Sequence, residues 1–285
     1  MKDGIYIYIK KNIKYKIPIY IYNIYNEKNI FHFPRILIII DKNSSVSIIE
    51  KYKNFKKKSL IFNVNDIYIK ENSNLNYLKI QNEKKNNFII DNTFFFQKKK
   101  TKCYINTFSL NNFFTKNYLY ILQEGEKSKS ILNGLFFGYN KQYIKNYTKI
   151  NHNFPNCKSY ELYKGIFKDK SKYYFNGEIF INKKSNKIDA FQKNNYILLS
   201  DKSKVKAIPK LNIYNDEVKC SHGCTLSNIN ESNLFYLQTR GLSKKKAKLI
   251  IIYSFIEENL FFLKKISFIN FLKKKIKKII EKFLL

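Results

Sequence analysis

Asn215–Gly241 reads NDEVKCSHGCTLSNINESNLFYLQTRG, and the periodicity of the whole chain changes inside it. Up to Leu226 the pattern is that of a strand. Val218, Cys220, His222 and Cys224 alternate with Lys219, Ser221 and Gly223, so the first four project to one face of an extended chain and the other three to the opposite face. After Leu226 the pattern becomes helical. Asn230 is placed to N-cap Glu231–Arg240, and Gly241 stands where a C′ glycine belongs. Ser243 opens a second helix with Ala247, Ile250, Ile251 and Phe255 among its apolar residues. The stretch therefore predicts a β body over residues 1–226 and a small helical domain over 227–285.

Upstream of it, strand follows strand. Gly4–Ile9, Ile17–Tyr22, Arg35–Ile40, Ser45–Ile49, Leu60–Val64 and Leu75–Ile80 are rich in β-branched and aromatic residues, with polar turns such as Asp41–Ser45 between them. Phe88–Ile90, Tyr104–Leu110, Tyr118–Leu122, Ile131–Phe137, Tyr143–Ile150, Tyr173–Ile181 and Tyr196–Leu199 continue the series. Helical periodicity is missing here, so parallel βαβ units are not expected. Many short strands with brief connections fit a sandwich, a barrel or a β-helix, and no strict short repeat chooses among them. Downstream, the tail from Phe261 places Phe262, Ile266, Ile269, Ile276, Ile280 and Phe283 at helical spacing opposite a lysine-rich face. It is expected to cap the end of the β body and dock a partner, in preference to lying on an anionic membrane.

The formal charge of +33 would ordinarily point to a polyanionic partner. Of 54 basic residues, however, only Arg35 and Arg240 are arginine. The heavy use of Ile, Asn, Lys, Phe and Tyr follows A- and T-rich codons, the signature of an AT-rich genome. Clustered arginines for bidentate phosphate contacts are absent, so the charge reads as a lysine-rich solvated surface and no specific nucleic acid is expected. A helix-turn-helix over Glu231–Phe255 is the rival reading, but its second helix is apolar at Leu249–Ile252 and suits packing better than a groove. Cysteines at 103, 157, 220 and 224 are too few and too scattered for a disulfide scaffold. Lys2 and Asp3 precede an alternating run instead of an apolar signal region, and no uncharged stretch is long enough to span a bilayer. A soluble protein of a reducing compartment is expected: a bacterial or endosymbiont cytoplasm, or a plastid stroma.

Phe175–Ser200 (FNGEIFINKKSNKIDAFQKNNYILLS) and Pro209–Gly241 (PKLNIYNDEVKCSHGCTLSNINESNLFYLQTRG) closely resemble the core of the SufB/SufD family of iron–sulfur assembly proteins. Leu132–Gly165 resembles the segment before them, and GIYIYI and FPRILIII resemble its earlier strands, so the likeness runs from about residue 4 to about 260. Since the sequence opens almost directly in strands, the extended helical region that leads many members is expected to be absent. CSHG at Cys220–Gly223 is the SufD form, and Asn195–Asp201 lacks the cysteine expected of a SufB. The resemblance implies a mainly β protein, a right-handed parallel β-helix with a small C-terminal α-helical domain. It further implies a non-catalytic scaffold subunit that pairs with a SufB-like subunit, docks a SufC-like ABC ATPase through its helices, and binds no nucleotide itself. A transient iron–sulfur cluster would form at the interface of the two scaffold subunits.

Strand geometry constrains the chemistry independently. Co-facial Cα atoms at i and i+2 lie roughly 6.5–7 Å apart, while metal–ligand bonds are only about 2.0–2.3 Å, so Cys220, His222 and Cys224 do not close on one ion without a bend. Thiolate and imidazole suit iron and iron–sulfur clusters, as part of a site that another chain completes. On residue types alone, the same four side chains also fit an inert inward face. The resemblance selects His222 as the main contributor and Cys220 as the second, with Cys224 packing. His152 and Cys157, separated by Pro155, form no ready chelate and are expected in a loop role; His32 between two phenylalanines is expected to be a strand or loop residue. Paired carboxylates, a nucleophile elbow and a phosphate-cradling glycine loop are all missing from the sequence, so any ATP hydrolysis is expected to come from a partner.

Overall fold

Alternation along a strand leaves an apolar face that must be covered, and this chain covers it by coiling. In the computed structural model, residues 4–25, 31–54, 59–82, 87–110 and 113–261 are described, together with 276–278, 280, 281 and 283. Among them the strands are β1 (Gly4–Ile9), β2 (Ile19–Tyr25), β3 (Phe31–His32), β4 (Arg35–Ile40), β5 (Ser45–Asn54) and β6 (Leu60–Ile69). Then come β7 (Asn74–Gln81), β8 (Phe88–Gln97), β9 (Lys102–Ser109), β10 (Phe114–Gln123), β11 (Lys129–Gly138) and β12 (Tyr143–His152). The series ends with β13 (Lys158–Phe167), β14 (Lys172–Ile181), β15 (Ile188–Leu198), β16 (Lys204–Ile213) and β17 (Val218–Asn228). Two helices follow, α1 (Glu231–Thr239) and α2 (Lys244–Phe261).

Sheet A runs β1-β4-β6-β8-β10-β12-β14-β16, with β3 also beside β6, and sheet B runs β17-β15-β13-β11-β9-β7-β5-β2. The pairings are parallel, and successive strands alternate between the sheets, which makes a parallel β-helix of about seven turns. Of the three architectures that periodicity left open, this one forms. Inward residues stack in columns, such as Ile38, Ile67, Phe95, Ile121, Ile150 and Ile179 on sheet A. Each such side chain contributes about 1.5–3 kcal/mol by leaving water, and the stack continues from turn to turn. The step between stacked residues varies, from Phe88 over Phe114 to Lys172 over Lys204, which is why no strict repeat shows in the sequence.

Seven successive corners from sheet A to sheet B carry a residue in the left-handed region: Asn12, Asn43, Asn72, Lys100, Lys127, Asn156 and Lys187. Asparagine is the least strained non-glycine choice there. The next position inward forms a buried ladder of Ser44, Ser73, Thr101, Ser128 and Cys157. Ser44 and Ser73 donate to the carbonyls of Lys10 and Asp41 in the turn before, at 2.8 and 2.6 Å. The Cys157 thiol does the same to Gly125 at 3.3 Å, so it replaces a hydroxyl.

The two sheets differ on their outer faces. Sheet A carries stacked aromatic pairs, Tyr68–Phe96, Phe94–Tyr120 and Tyr118–Tyr147, with centroids 4.5, 5.0 and 4.7 Å apart. Sheet B packs against α2 and the described residues of the tail. Ile252, Ile256, Ile276, Ile280 and Phe283 share one core with Leu78, Ile80, Phe108, Leu135, Phe137 and Ile166. The expected end cap is corrected here: the described helices lie along the flank of sheet B. They are also unlike a free helix-turn-helix, because the apolar side of α2 is committed to the sheet. Phe262, Ile266 and Ile269 lie outside the described residues. Two long strands escaped the sequence reading. In β13 the outward Leu162, Lys164 and Ile166 are also buried, which blurs the alternation. In β16, Pro209 hides the strand, and it is tolerated because, among the described strands, β16 pairs with β14 alone.

Candidate functional site

β17 is the last strand of sheet B. It pairs with β15, placing Val218, Cys220, His222 and Cys224 in register with Ile188, Ala190, Gln192 and Asn194. All four partners are buried, so the alternating residues of β17 belong to the inward columns of the β-helix. No described strand pairs beyond β16 and β17. Val218 and Cys220 are therefore half-buried, while His222 and Cys224 are exposed at an open mouth. The inert inward face and the half-site are thus one feature: the face is inward, and the last turn leaves it uncovered.

Burial pushes the Cys220 thiol up to about 11, assisted by the negative charge of Asp189 and opposed by a hydrogen bond from the Ala190 backbone. Burial also raises Cys224. Both are thiols at neutral pH, so either would release a proton on binding a metal. No group of three or more His, Cys, Asp and Glu side chains is arranged to hold a metal ion among the described residues. Behind His222, its column continues inward through Gln192 to Glu161. Burial pushes the Glu161 carboxyl up to about 7, against hydrogen bonds from Gln192 and Thr148. These two residues were not singled out in the sequence; only the register connects them to the site.

The other soft ligands go elsewhere. His152 ends β12, fully buried, with Nε2 2.9 Å from Ser159 Oγ, and burial pushes its pKa down to about 3, so it is neutral. Cys157 belongs to the corner ladder, Cys103 is buried in the core, and His32 lies in β3. Gly223 faces the outer side of β17, where an added Cβ would meet nothing within 4 Å. Gly223→Ala is accordingly expected to leave the melting temperature of the chain unchanged or slightly raised, checked by thermal unfolding.

Residues 23–255 match a family profile described as SUF system FeS cluster assembly, SufBD core domain. A SufBD family iron–sulfur cluster assembly protein of Synechocystis is 27% identical over 269 residues, covering 90% of this chain and 59% of the relative. The iron–sulfur cluster assembly protein SufD of Escherichia coli is 37% identical over 134 residues, covering 47% and 32%. A SufBD family protein of Staphylococcus saprophyticus is 28% identical over 258 residues, covering 89% and 55%. The chain spans about half the length of the curated relatives it matches.

Proposed function

The chain belongs to the SufBD core family of the SUF iron–sulfur assembly system, and on that premise we propose that it is a SufD-like, non-catalytic scaffold subunit. Family membership supports a role in iron–sulfur cluster assembly within a SUF complex. The observation that carries the finer reading is the uncovered inner face of β17, which presents Cys220 and His222 at the mouth of the β-helix. The nascent cluster is cargo at this mouth. His222 supplies an imidazole and Cys220 a thiol that loses its proton on binding, and a SufB-like subunit supplies the remaining ligands.

The free edges of β16 and β17 suit a partner that adds strands to both sheets. A SufC-like ABC ATPase would dock on the helical region 227–285, leaving this chain without a nucleotide of its own. The rival readings find less support. α2 is packed on sheet B, the described part of the tail spends its apolar residues in the same core, and no described helix is long and apolar enough to cross a membrane.

Co-expression with SufB-like and SufC-like partners is expected to yield a stable complex. His222→Ala is expected to leave that complex assembled, while cluster formed on it, read by visible absorbance and iron and sulfide content, falls to background. Normal cluster formation by His222→Ala would sink the site assignment. Specific duplex binding by a chain that ignored both partners would favour the helix-turn-helix.

A further inference from the structure

Glu161, Gln192 and His222 occupy consecutive positions of one inward column, on β13, β15 and β17. Neighbouring strands are about 4.8 Å apart, so each side chain stands next to the following one. Glu161 is 1% exposed and Gln192 is 0% exposed, while His222 is open to solvent. The Thr148 hydroxyl lies 3.2 and 3.1 Å from the two carboxylate oxygens of Glu161, and Gln192 Nε2 donates to Oε2 at 3.1 Å. Glu161 accepts from the Gln192 amide nitrogen, so that end of the amide is the one turned toward it. Gln192 Oε1 is therefore the end of the amide that Glu161 does not hold, on a residue in register with His222 of the next turn. That oxygen is buried and has no hydrogen-bond partner among the described residues. An orphaned buried acceptor costs about 1–3 kcal/mol, which a donor from the next turn would relieve. Opposite, Gly177 leaves room for the amide: a Cβ there would fall 2.2 Å from Gln192 Nε2.

We infer that Gln192, oriented by Glu161, is the positioning residue for His222: its unpaired Oε1 takes up one imidazole N–H when the ring turns toward the column, and the other ring nitrogen is then presented at the mouth. The inference rests on the reading of His222 as a site residue. It adds what that reading lacks, a device that selects the tautomer of an exposed histidine. Metal-binding histidines generally need such a partner on the second nitrogen, and losing it costs about 10–100-fold in metal affinity.

The test uses the full chain, whose three histidines give few enough ring signals to resolve by long-range proton–nitrogen correlation. Wild-type His222 is expected to hold one dominant tautomer. Gln192→Met, which keeps length and volume, is expected to relax it to the mixture of a free imidazole. The same variant should weaken His222-dependent cobalt(II) binding, measured anaerobically with the metal alone, by about tenfold or more. Glu161→Gln, which frees the amide to turn, is expected to relax the tautomer as well, and it carries the test should Gln192→Met fail to fold. A tautomer ratio and cobalt affinity that stay at wild-type values in the folded variants would overturn the inference. If His222→Ala bound cobalt(II) as wild type does while Gln192→Met still shifted the tautomer, the ligand reading would fall and the positioning role would stand.

Discussion

Lys79→Met is expected to lower the unfolding free energy by about 3–5 kcal/mol at neutral pH, the usual cost of stripping one partner from a buried charge cluster. Lys79, Glu50 and Asp91 all lie inside the early turns and are nearly inaccessible. The ammonium pairs with Asp91, lies 3.5 Å from Glu50 and donates to Thr93 at 2.7 Å. Tyr77 donates to Glu50, and Tyr52 OH lies 2.7 and 2.6 Å from Glu50 and Asp91. Burial alone would raise the Asp91 carboxyl, but the charge of Lys79, with hydrogen bonds from Lys79, Tyr52 and Asn63, outweighs it and holds the group below its usual value. In the wild type that contribution is present above the unfolded carboxylate pKa and is lost as pH falls through the lower folded value. Without Lys79, the hydrogen bonds from Tyr52 and Asn63 are left to oppose burial, so the folded value rises and protonation costs the variant less than the wild type. The gap between variant and wild type should therefore narrow steadily on acidification, as followed by denaturant titrations between neutral and acid pH. A gap independent of pH would show that Lys79 acts through packing alone.

Asn259→Ala should release α2 from the β-helix while leaving the β body folded. Asn259 is fully buried at the helix–sheet boundary. Its Nδ2 donates to Asn133 Oδ1 at 2.6 Å and to the Gly134 carbonyl at 2.9 Å, and Asn133 Nδ2 donates back to the Asn259 carbonyl at 2.8 Å. Nearby, Lys164 Nζ donates to the Phe255 carbonyl at 2.7 Å. Removing the amide leaves buried acceptors without their donor, at about 1–3 kcal/mol. Since about 1.4 kcal/mol is tenfold in an equilibrium, amide exchange over Ile252–Leu260 should quicken by about tenfold or more. Proteolysis near Gly241 should quicken with it, while exchange in β6–β14 is unchanged. Uniform acceleration across the chain would mean that helix and β-helix unfold as one unit. If a SufC-like ATPase docks on region 227–285 as proposed, the variant should lose it from a co-expressed complex before it loses a SufB-like subunit.

Much of this was legible because strand and helix signals are local. Gly4–Ile9 and Arg35–Ile40 carry enough β-branched residues to set their own bounds, and Asn230 caps α1 by accepting from the Asn233 N–H. The pairing of Cys220 with His222 on one face followed from alternation alone. Where a residue's role depends on what lies a turn away, nothing local marks it. Cys157 reads in the sequence as a loop residue with no chelating partner, and only the corner ladder of Ser44, Ser73, Thr101 and Ser128 gives it a place. Lys164 looked like surface charge, yet it is buried under α2.

The sequence by itself determined the class of each segment, the switch from strand to helix after Leu226, the family likeness and the inward-facing set Val218, Cys220, His222 and Cys224. Each depends on neighbours a few residues apart, where steric and hydrogen-bonding preferences act directly. Only the tertiary structure decided that β17 ends the coil uncovered, that the helices lie on the flank of sheet B, and that Glu161, Gln192 and His222 fall in one column. Those facts depend on the register between turns. The register is set by corner lengths that vary along the chain and by side chains about 30 residues apart, which no short window of sequence brings together.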